Sequence, residues 1–308
     1  MFQIERDKRP KEVLRQNTLG EMEYLTFPAL EETGLVEHFF STRTGGVSEG
    51  IYSSMNLSFS RGDAPEKVFE NYRRAAKLLH CQPEDMVVSR QTHTTNIRYV
   101  TREDAGKGIT RPADYEDVDG LITDESNLAL VTLYADCVPL YFVDPVHRAI
   151  GLAHSGWRGT VKEMGRAMAE AMGSRFGTKP EDLIAAVGPS ICQECYEVGE
   201  DVAEEFRRFA EDTDERTAAL LQEAEEKNIL PEREGKGLSV LIPGKEEGKY
   251  QLNLWLANWV VLRKAGIPAE RISVTDICTC HNPDYLFSHR ASGGKRGNLG
   301  AFLMLKNS

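Results

Sequence analysis

The sequence predicts a layered domain of the mixed α/β (α+β) class. Three observations carry this reading. Short apolar runs bounded by turn residues recur along the chain, helical periodicity appears between them, and the strand–GxGxxG–helix fingerprint of a Rossmann fold is missing. With 308 residues, 41% of them hydrophobic and 28% charged, the chain has ample apolar material for a core. No solenoid-length repeat and no Pro- or Gly/Ser-rich linker divides it, so residues 1–308 read as a single compact domain.

In chain order, PEKVFENYRRAAKLLH predicts a helix. Pro65 suits its first turn, and Val68, Phe69, Tyr72, Ala76 and Leu79 share one face. LALVTLY (128–134), PLYFVD (139–144) and AIGLAH (149–154) predict three strands. Residues 157–176 predict a helix with Val161, Met164, Met168, Met172 and Phe176 inward and Gly177 as its stop. LIAAVG (183–188) predicts the next strand. The polar stretch 201–236 predicts two helices with acidic faces and reads as a surface insertion. NLWLANWVVLRKAGIP predicts a helix carrying Trp255, Trp259 and Leu262, ended by Gly266 and Pro268. ISVTDIC (272–278) and GAFLMLK (300–306) predict the last strands. The Met and Trp stripes read as core rather than as a cofactor box.

Thirty-seven basic and 48 acidic residues leave a net charge of −11, which disfavours a broad grip on nucleic acid or anionic membrane. A local basic pocket for a small anion remains compatible with it. No run reaches the ~18 apolar residues of a membrane span, and MFQIERDKRPKEVLRQ has no signal-peptide core, so the expected location is the cytoplasm. Six cysteines are too few for a disulfide scaffold and read as thiols, some of them ligands.

The densest chemistry lies in LYADCVPLYFVDPVHRAIGLAHSGWRGT. Cys137 occupies a tight turn between two predicted strands, and His154 ends the next one. His93, in SRQTHTTNI, follows another short strand. One thiolate and two imidazoles suit Zn²⁺ and leave a fourth position open. The spacings, 44 residues from 93 to 137 and 17 from 137 to 154, match no short zinc motif. A buried thiol with structural histidines fits the same pattern. The Gly156–Gly159 turn with Arg158, the loop FFSTRTGGVSEGIYSSMNLSF with Arg43, and the stretch DICTCHNPDYLFSHRASGGKRGNLG with Arg290, Lys295 and Arg296 are candidate anion sites. Each also reads as an ordinary turn or solvated loop. A rival metal site pairs the Cys192-Gln-Glu-Cys195 motif with Cys278, Cys280 or His281, although no second CxxC is present.

These segments together resemble the YfiH-like family. Its members were long named laccase-domain or polyphenol-oxidase proteins and later recognised as zinc-dependent purine nucleoside phosphorylases. STRTGGVSEGIYSSMNLSF, RQTH, DGLIT, ADCVPL, HSGWRG, VGPSI with CYEVG, and DICT with FSHR carry the resemblance, from about residue 38 to the C-terminus. The resemblance implies a central β-sandwich of mixed sheets flanked by helices. It implies metal ligation by His93, Cys137 and His154, and places Arg43 and Arg290 at the same pocket. With Cys278, the DICT cysteine, these arginines are the expected catalytic residues. The implied partners are purine nucleosides and phosphate. The implied reactions are phosphorolysis of adenosine, inosine and 5′-methylthioadenosine, with deamination of adenosine beside them. Of the CxxC pair, Cys195 fits the family pattern and Cys192 does not. The HxE and PCxxC pattern of known zinc deaminases is absent, so deamination would need a different acid/base group.

Two rival enzymes remain. A copper (Cu²⁺) polyphenol oxidase would accept the same ligands, but the chain has seven histidines and no His-x-His pair. A cysteine hydrolase would use Cys137 as nucleophile with a histidine base. The helical insertion offers a surface for a homodimer.

Overall fold

In the computed structural model, which describes residues 2–7, 12–210, 215–230 and 238–307, the strands follow in order. The first six are β1 (Arg15–Leu19), β2 (Met22–Thr26), β3 (Val36–Ser41), β4 (Met86–Val88), β5 (Ile97–Tyr99) and β6 (Gly120–Thr123). Next come β7 (Ala129–Tyr134), β8 (Val138–Asp144), β9 (Ala149–Ser155), β10 (Ile184–Val187) and β11 (Glu197–Gly199). The last are β12 (Leu241–Pro243), β13 (Lys249–Leu252), β14 (Ile272–Val274) and β15 (Leu299–Leu305).

They form two six-stranded mixed sheets, ordered β1-β2-β3-β15-β7-β4 and β14-β10-β8-β9-β6-β5, and a small sheet β11-β13-β12. Pairing is antiparallel except for β4 with β7, β5 with β6 and β10 with β14.

Alternation along each strand explains the layering. In β8, Tyr141 and Val143 point between the two large sheets, while Leu140 and Phe142 face the helices outside. In β15, Leu299, Ala301, Leu303 and Leu305 point inward and Phe302 and Met304 outward. Strands buried on both faces need apolar residues at every position, and these read as continuous runs in the sequence. Helices Met164–Phe176 and Leu254–Lys264 cover the second sheet, and Pro65–Ala76 covers the first. This is the central sandwich of mixed sheets flanked by helices that the sequence led us to expect.

Three elements differ from expectation. The helix over 157–176 is broken into Trp157–Val161 and Met164–Phe176 by Glu163, whose φ of 58° no α-helix tolerates. Met164, Met168 and Met172 are buried, whereas Val161 and Phe176 are half-buried. Gly177, left-handed at φ 78°, ends it as expected.

The helix from Pro65 ends at Ala76, and its buried face includes Asn71 rather than Phe69. Asn71 accepts from the Val47 amide at 2.8 Å and donates to Asn56 O at 2.8 Å, pinning the glycine-rich loop. Only Ile272–Val274 of ISVTDIC is strand.

In the stretch 201–236, two helices appear at Glu200–Ala210 and Glu215–Glu226. Phe206, Leu220 and Ala224 join the core that contains Trp259, so the apolar faces are anchored rather than free. Positions 211–214 and 231–237 lie outside the described residues. Among the described residues no helix is long and apolar enough to cross a membrane.

Candidate metal centre and adjoining cavity

His93 and Cys137 both lie where the chain crosses from the first sheet to the second. His93 is on the β4–β5 connection and Cys137 on the three-residue β7–β8 connection. His154 is at the end of β9, directly opposite Pro139 of β8. The two crossings therefore meet the strand end at one rim of the sandwich. One ligand atom from each of the three residues lies within 4.8 Å of the others, and the two imidazoles are edge-on with centroids 5.0 Å apart.

Asp119, at 0% exposure, organises the site. Its carboxylate accepts from His154 Nδ1 at 2.8 Å and from the amides of Thr92, His93 and Thr94 at 2.9–3.1 Å. These bonds hold His93 at φ 66°, a left-handed conformation that a side chain with a Cβ disfavours. They also assign the His154 proton to Nδ1 and leave its other nitrogen for Cys137. Asp136, at φ 85°, is tied by the Thr279 hydroxyl at 2.6 Å and the Arg290 amide at 2.7 Å. A Cβ on Gly156 would stand 3.1 Å from both Cys137 Sγ and His93 Cδ2.

Charge balance within the triad is set by proximity. Burial raises the Cys137 thiol, but the His154 charge and hydrogen bonds to His154 and His93 outweigh it, bringing the thiol to about 6. Burial lowers His154, and the Cys137 and Asp119 anions more than reverse it, to about 9. A thiolate beside two imidazoles, with a carboxylate behind one of them, is a donor set that fits a borderline divalent metal such as Zn²⁺.

The triad opens on a cavity of about 750 Å³. Arg290 lines it, with its guanidinium on Glu197 O at 2.8 Å and over the Tyr196 ring. Arg61 and Arg296 line it as well and converge on one acceptor, Asn298 Oδ1, at 3.1 and 2.6 Å. Arg296 is buried, its Nε has no partner among the described residues, and burial beside Arg61 lowers its pKa to about 10. Two guanidiniums held this close, one with an idle buried donor, form a recess suited to an anion. Burial and Arg296 also depress the His289 imidazole.

Arg43 is not among the residues lining the cavity. Its guanidinium donates to Ser53 O at 2.9 Å and to Pro283 O, and packs on the Phe287 ring. Arg158 lies over Trp157 rather than in the cavity wall. Cys278 sits outside the cavity, among Cys192, Cys195 and His281. Asp119 and Arg61 are the residues that sequence reasoning did not single out as a site, whereas Arg296 lies in one of the expected anion loops. The DGLIT motif around Asp119 was the available signal.

Residues 37–306 match the family described as multi-copper polyphenol oxidoreductase laccase. The chain belongs to this YfiH-like family. A purine nucleoside phosphorylase YlmD of Bacillus subtilis is 33% identical over 270 residues, covering 87% of this chain and 88% of the relative. An adenosine deaminase RL5 from an unknown prokaryotic organism is 30% identical over 278 residues, covering 90% and 96%. The crystal structure of Bacillus licheniformis YfiH superposes with a TM-score of 0.81 at 32% identity, covering 95% of this chain and 99% of that one. In this YfiH-like chain the matched region spans the triad, the cavity, the second large sheet and the β3-β15-β7-β4 part of the first.

Proposed function

We propose that the protein is a zinc-dependent purine nucleoside phosphorylase. It cleaves adenosine and inosine with phosphate to the purine base and ribose 1-phosphate, accepts 5′-methylthioadenosine, and deaminates adenosine. The observation that carries the reading is a single cavity shared by a candidate metal-binding triad and a pair of arginines, Arg296 buried and Arg61 exposed, that meet on one acceptor. The names of the relatives support the same reaction classes.

Arg61 and Arg296 hold the phosphate, with Asn298 fixing the angle between them. One phosphate oxygen forms the bond to the ribose C1′ as the N-glycosidic bond breaks, and the bonding pair leaves with the purine. Phe59, Trp157 and Tyr196 also line the cavity, and among them the base finds aromatic partners. His289 stays neutral beside Arg296 and can accept a proton or hydrogen bond. His93, Cys137 and His154 would hold Zn²⁺, which polarises a substrate atom or lowers the pKa of bound water to about 7. Cu²⁺ in the same ligands is the alternative metal. The cytoplasm is the proposed location, and a homodimer through the acidic helices is the proposed assembly, which light scattering tests.

A second reading has a specific observation behind it. The lowered Cys137 thiol paired with His154 is also the arrangement of an activated cysteine nucleophile. One experiment separates these readings. Zinc-loaded protein with adenosine and phosphate should give adenine and ribose 1-phosphate, and inosine should give hypoxanthine. Omitting phosphate should abolish base release and leave inosine formation from adenosine intact. A chelator should stop both reactions, whereas a cysteine hydrolase would survive it. A copper oxidase would consume oxygen and ignore phosphate. Phosphate-independent base release, or no nucleoside turnover, overturns the proposal.

A further inference from the structure

β10 and β14 are neighbouring parallel strands, with Val187 opposite Val274. Beyond their ends the two segments stay paired through a bridge between Ser190 and Cys278 and a Thr279 amide bond to Ser190 O at 3.1 Å. Cys192 and Cys195 follow on one segment, Cys278 and His281 on the other. Three sulfurs and one imidazole nitrogen come to lie within 4.8 Å of one another. Tetrahedral zinc with Zn–S bonds of about 2.3 Å puts ligand atoms roughly 3.8 Å apart, so a small contraction closes the shell.

The sulfurs lie close together and largely out of solvent. Cys192 and Cys278 are each 2% exposed, and the Cys192 amide donates to Cys278 Sγ at 3.3 Å. Without a cation only one of three adjoining sulfurs can comfortably be ionised. A divalent metal removes that restriction and prefers soft ligands of this kind. His281 faces Glu5 Oε1 from Nδ1 at 3.5 Å and Glu194 Oε2 from Nε2 at 4.0 Å. Whichever nitrogen binds metal, the other has a carboxylate beside it to orient the ring.

We propose that Cys192, Cys195, Cys278 and His281 form a second, closed site that holds one Zn²⁺ in a structural role, separate from the triad of His93, Cys137 and His154. The site holds the wall of the cavity. Ile191 and Tyr196, on either side of the CxxC segment, line it, and the Ile191 amide donates to Asp136 O at 3.0 Å. The Thr279 hydroxyl, one residue after Cys278, holds the Asp136 carboxylate. Asp136 immediately precedes Cys137.

Native mass spectrometry of the full chain purified in zinc tests this. The wild type should carry two zinc ions, Cys192→Ser/Cys195→Ser one, and His93→Ala/His154→Ala one. Cobalt loaded into the last variant should give the intense sulfur-to-metal absorption of a three-thiolate tetrahedral site. Because that variant has lost the triad, its metal count is independent of whether the protein acts on nucleosides. His281→Gln, which leaves all three thiols, should weaken zinc retention against a chelator by at least about tenfold. If the double serine variant does not fold, the wild type still answers. A count of one zinc with Cys192, Cys195 and Cys278 freely alkylated, or with two of them joined in a disulfide, overturns the second site. So does an unchanged count in a folded double serine variant.

Discussion

The Asp119 carboxylate receives the His154 Nδ1–H at 2.8 Å and the His93 amide at 3.1 Å, so one buried anion sets both imidazoles of the candidate metal centre. It orients one through its ring and the other through its backbone.

Asp119→Asn keeps the shape of the side chain and removes its charge. It should weaken zinc binding by about 10–100-fold, the usual effect of losing the carboxylate behind a ligating histidine. Competition with a chromophoric chelator measures this. Retention equal to the wild type would show that the carboxylate does not tune the site.

Metal-free protein should expose an unusually acidic thiol at Cys137. An ordinary cysteine gains thiolate only near pH 8.5. Cys137, lowered to about 6, should be alkylated by iodoacetamide with a midpoint near that value. The rate should rise with pH through the midpoint and then level off. Zinc should suppress it at every pH. Mass mapping of the modified peptide reads the result, and rapid alkylation of the zinc-loaded chain would point to a nucleophile instead.

Arg61→Ala and Arg296→Lys should each raise the phosphate KM. Losing a charged hydrogen bond costs about 1.5–3 kcal/mol, or roughly 10–100-fold. Arg43→Ala should leave phosphate saturation unchanged and lower the melting temperature, because its bonds run to Ser53 O and Pro283 O. Phosphate dependence altered by Arg43→Ala alone would reverse that assignment.

His38 supplies a pH effect far from the cavity. Its Nε2 accepts the Phe27 amide at 2.8 Å, and burial with the nearby Lys306 charge lowers its pKa to about 3. The unfolded chain, near 6.5, binds the proton first as pH falls. The contribution is therefore fully present above about 6.5 and is lost on acidification. Between pH 6.5 and 5 the wild type should lose about 2 kcal/mol more than His38→Gln, at 1.36 kcal/mol per pH unit. Urea denaturation at the two pH values decides this, and parallel losses would contradict it.

The strands that could be read from the sequence are those buried on both faces. β7, β8, β9 and β15 present unbroken apolar runs because one face meets the opposite sheet and the other meets helices. The three-residue strands β5 and β11 carry no such run, since partners distant in sequence define them. The helix break at Glu163 was hidden for a related reason: the apolar spacing from Val161 to Met164 continues across it. At the site, His93, Cys137 and His154 stood out by residue type. Asp119 did not, because an aspartate before a glycine and a strand looks like turn chemistry until His154, 35 residues on, is placed against it. Arg61 and Arg296 gain meaning only from their shared acceptor on Asn298. Cys278, which the resemblance implies is catalytic, lies among Cys192, Cys195 and His281, a grouping that no spacing rule brings together.

Gly156 has φ −71° and ψ −178°, a conformation that alanine adopts without penalty. The only consequence of a methyl group there is spatial, since it would press on Cys137 Sγ and His93 Cδ2. Gly156→Ala thus adds one methyl group and nothing else: every ligand atom, charge and backbone bond is kept, while Cys137 Sγ and His93 Cδ2 must give way by a few tenths of an ångström. Such a chain separates what the protein does as a folded object from what it does as a catalyst. Among substitutions at this rim, it is the one whose loss of function would say least about stability.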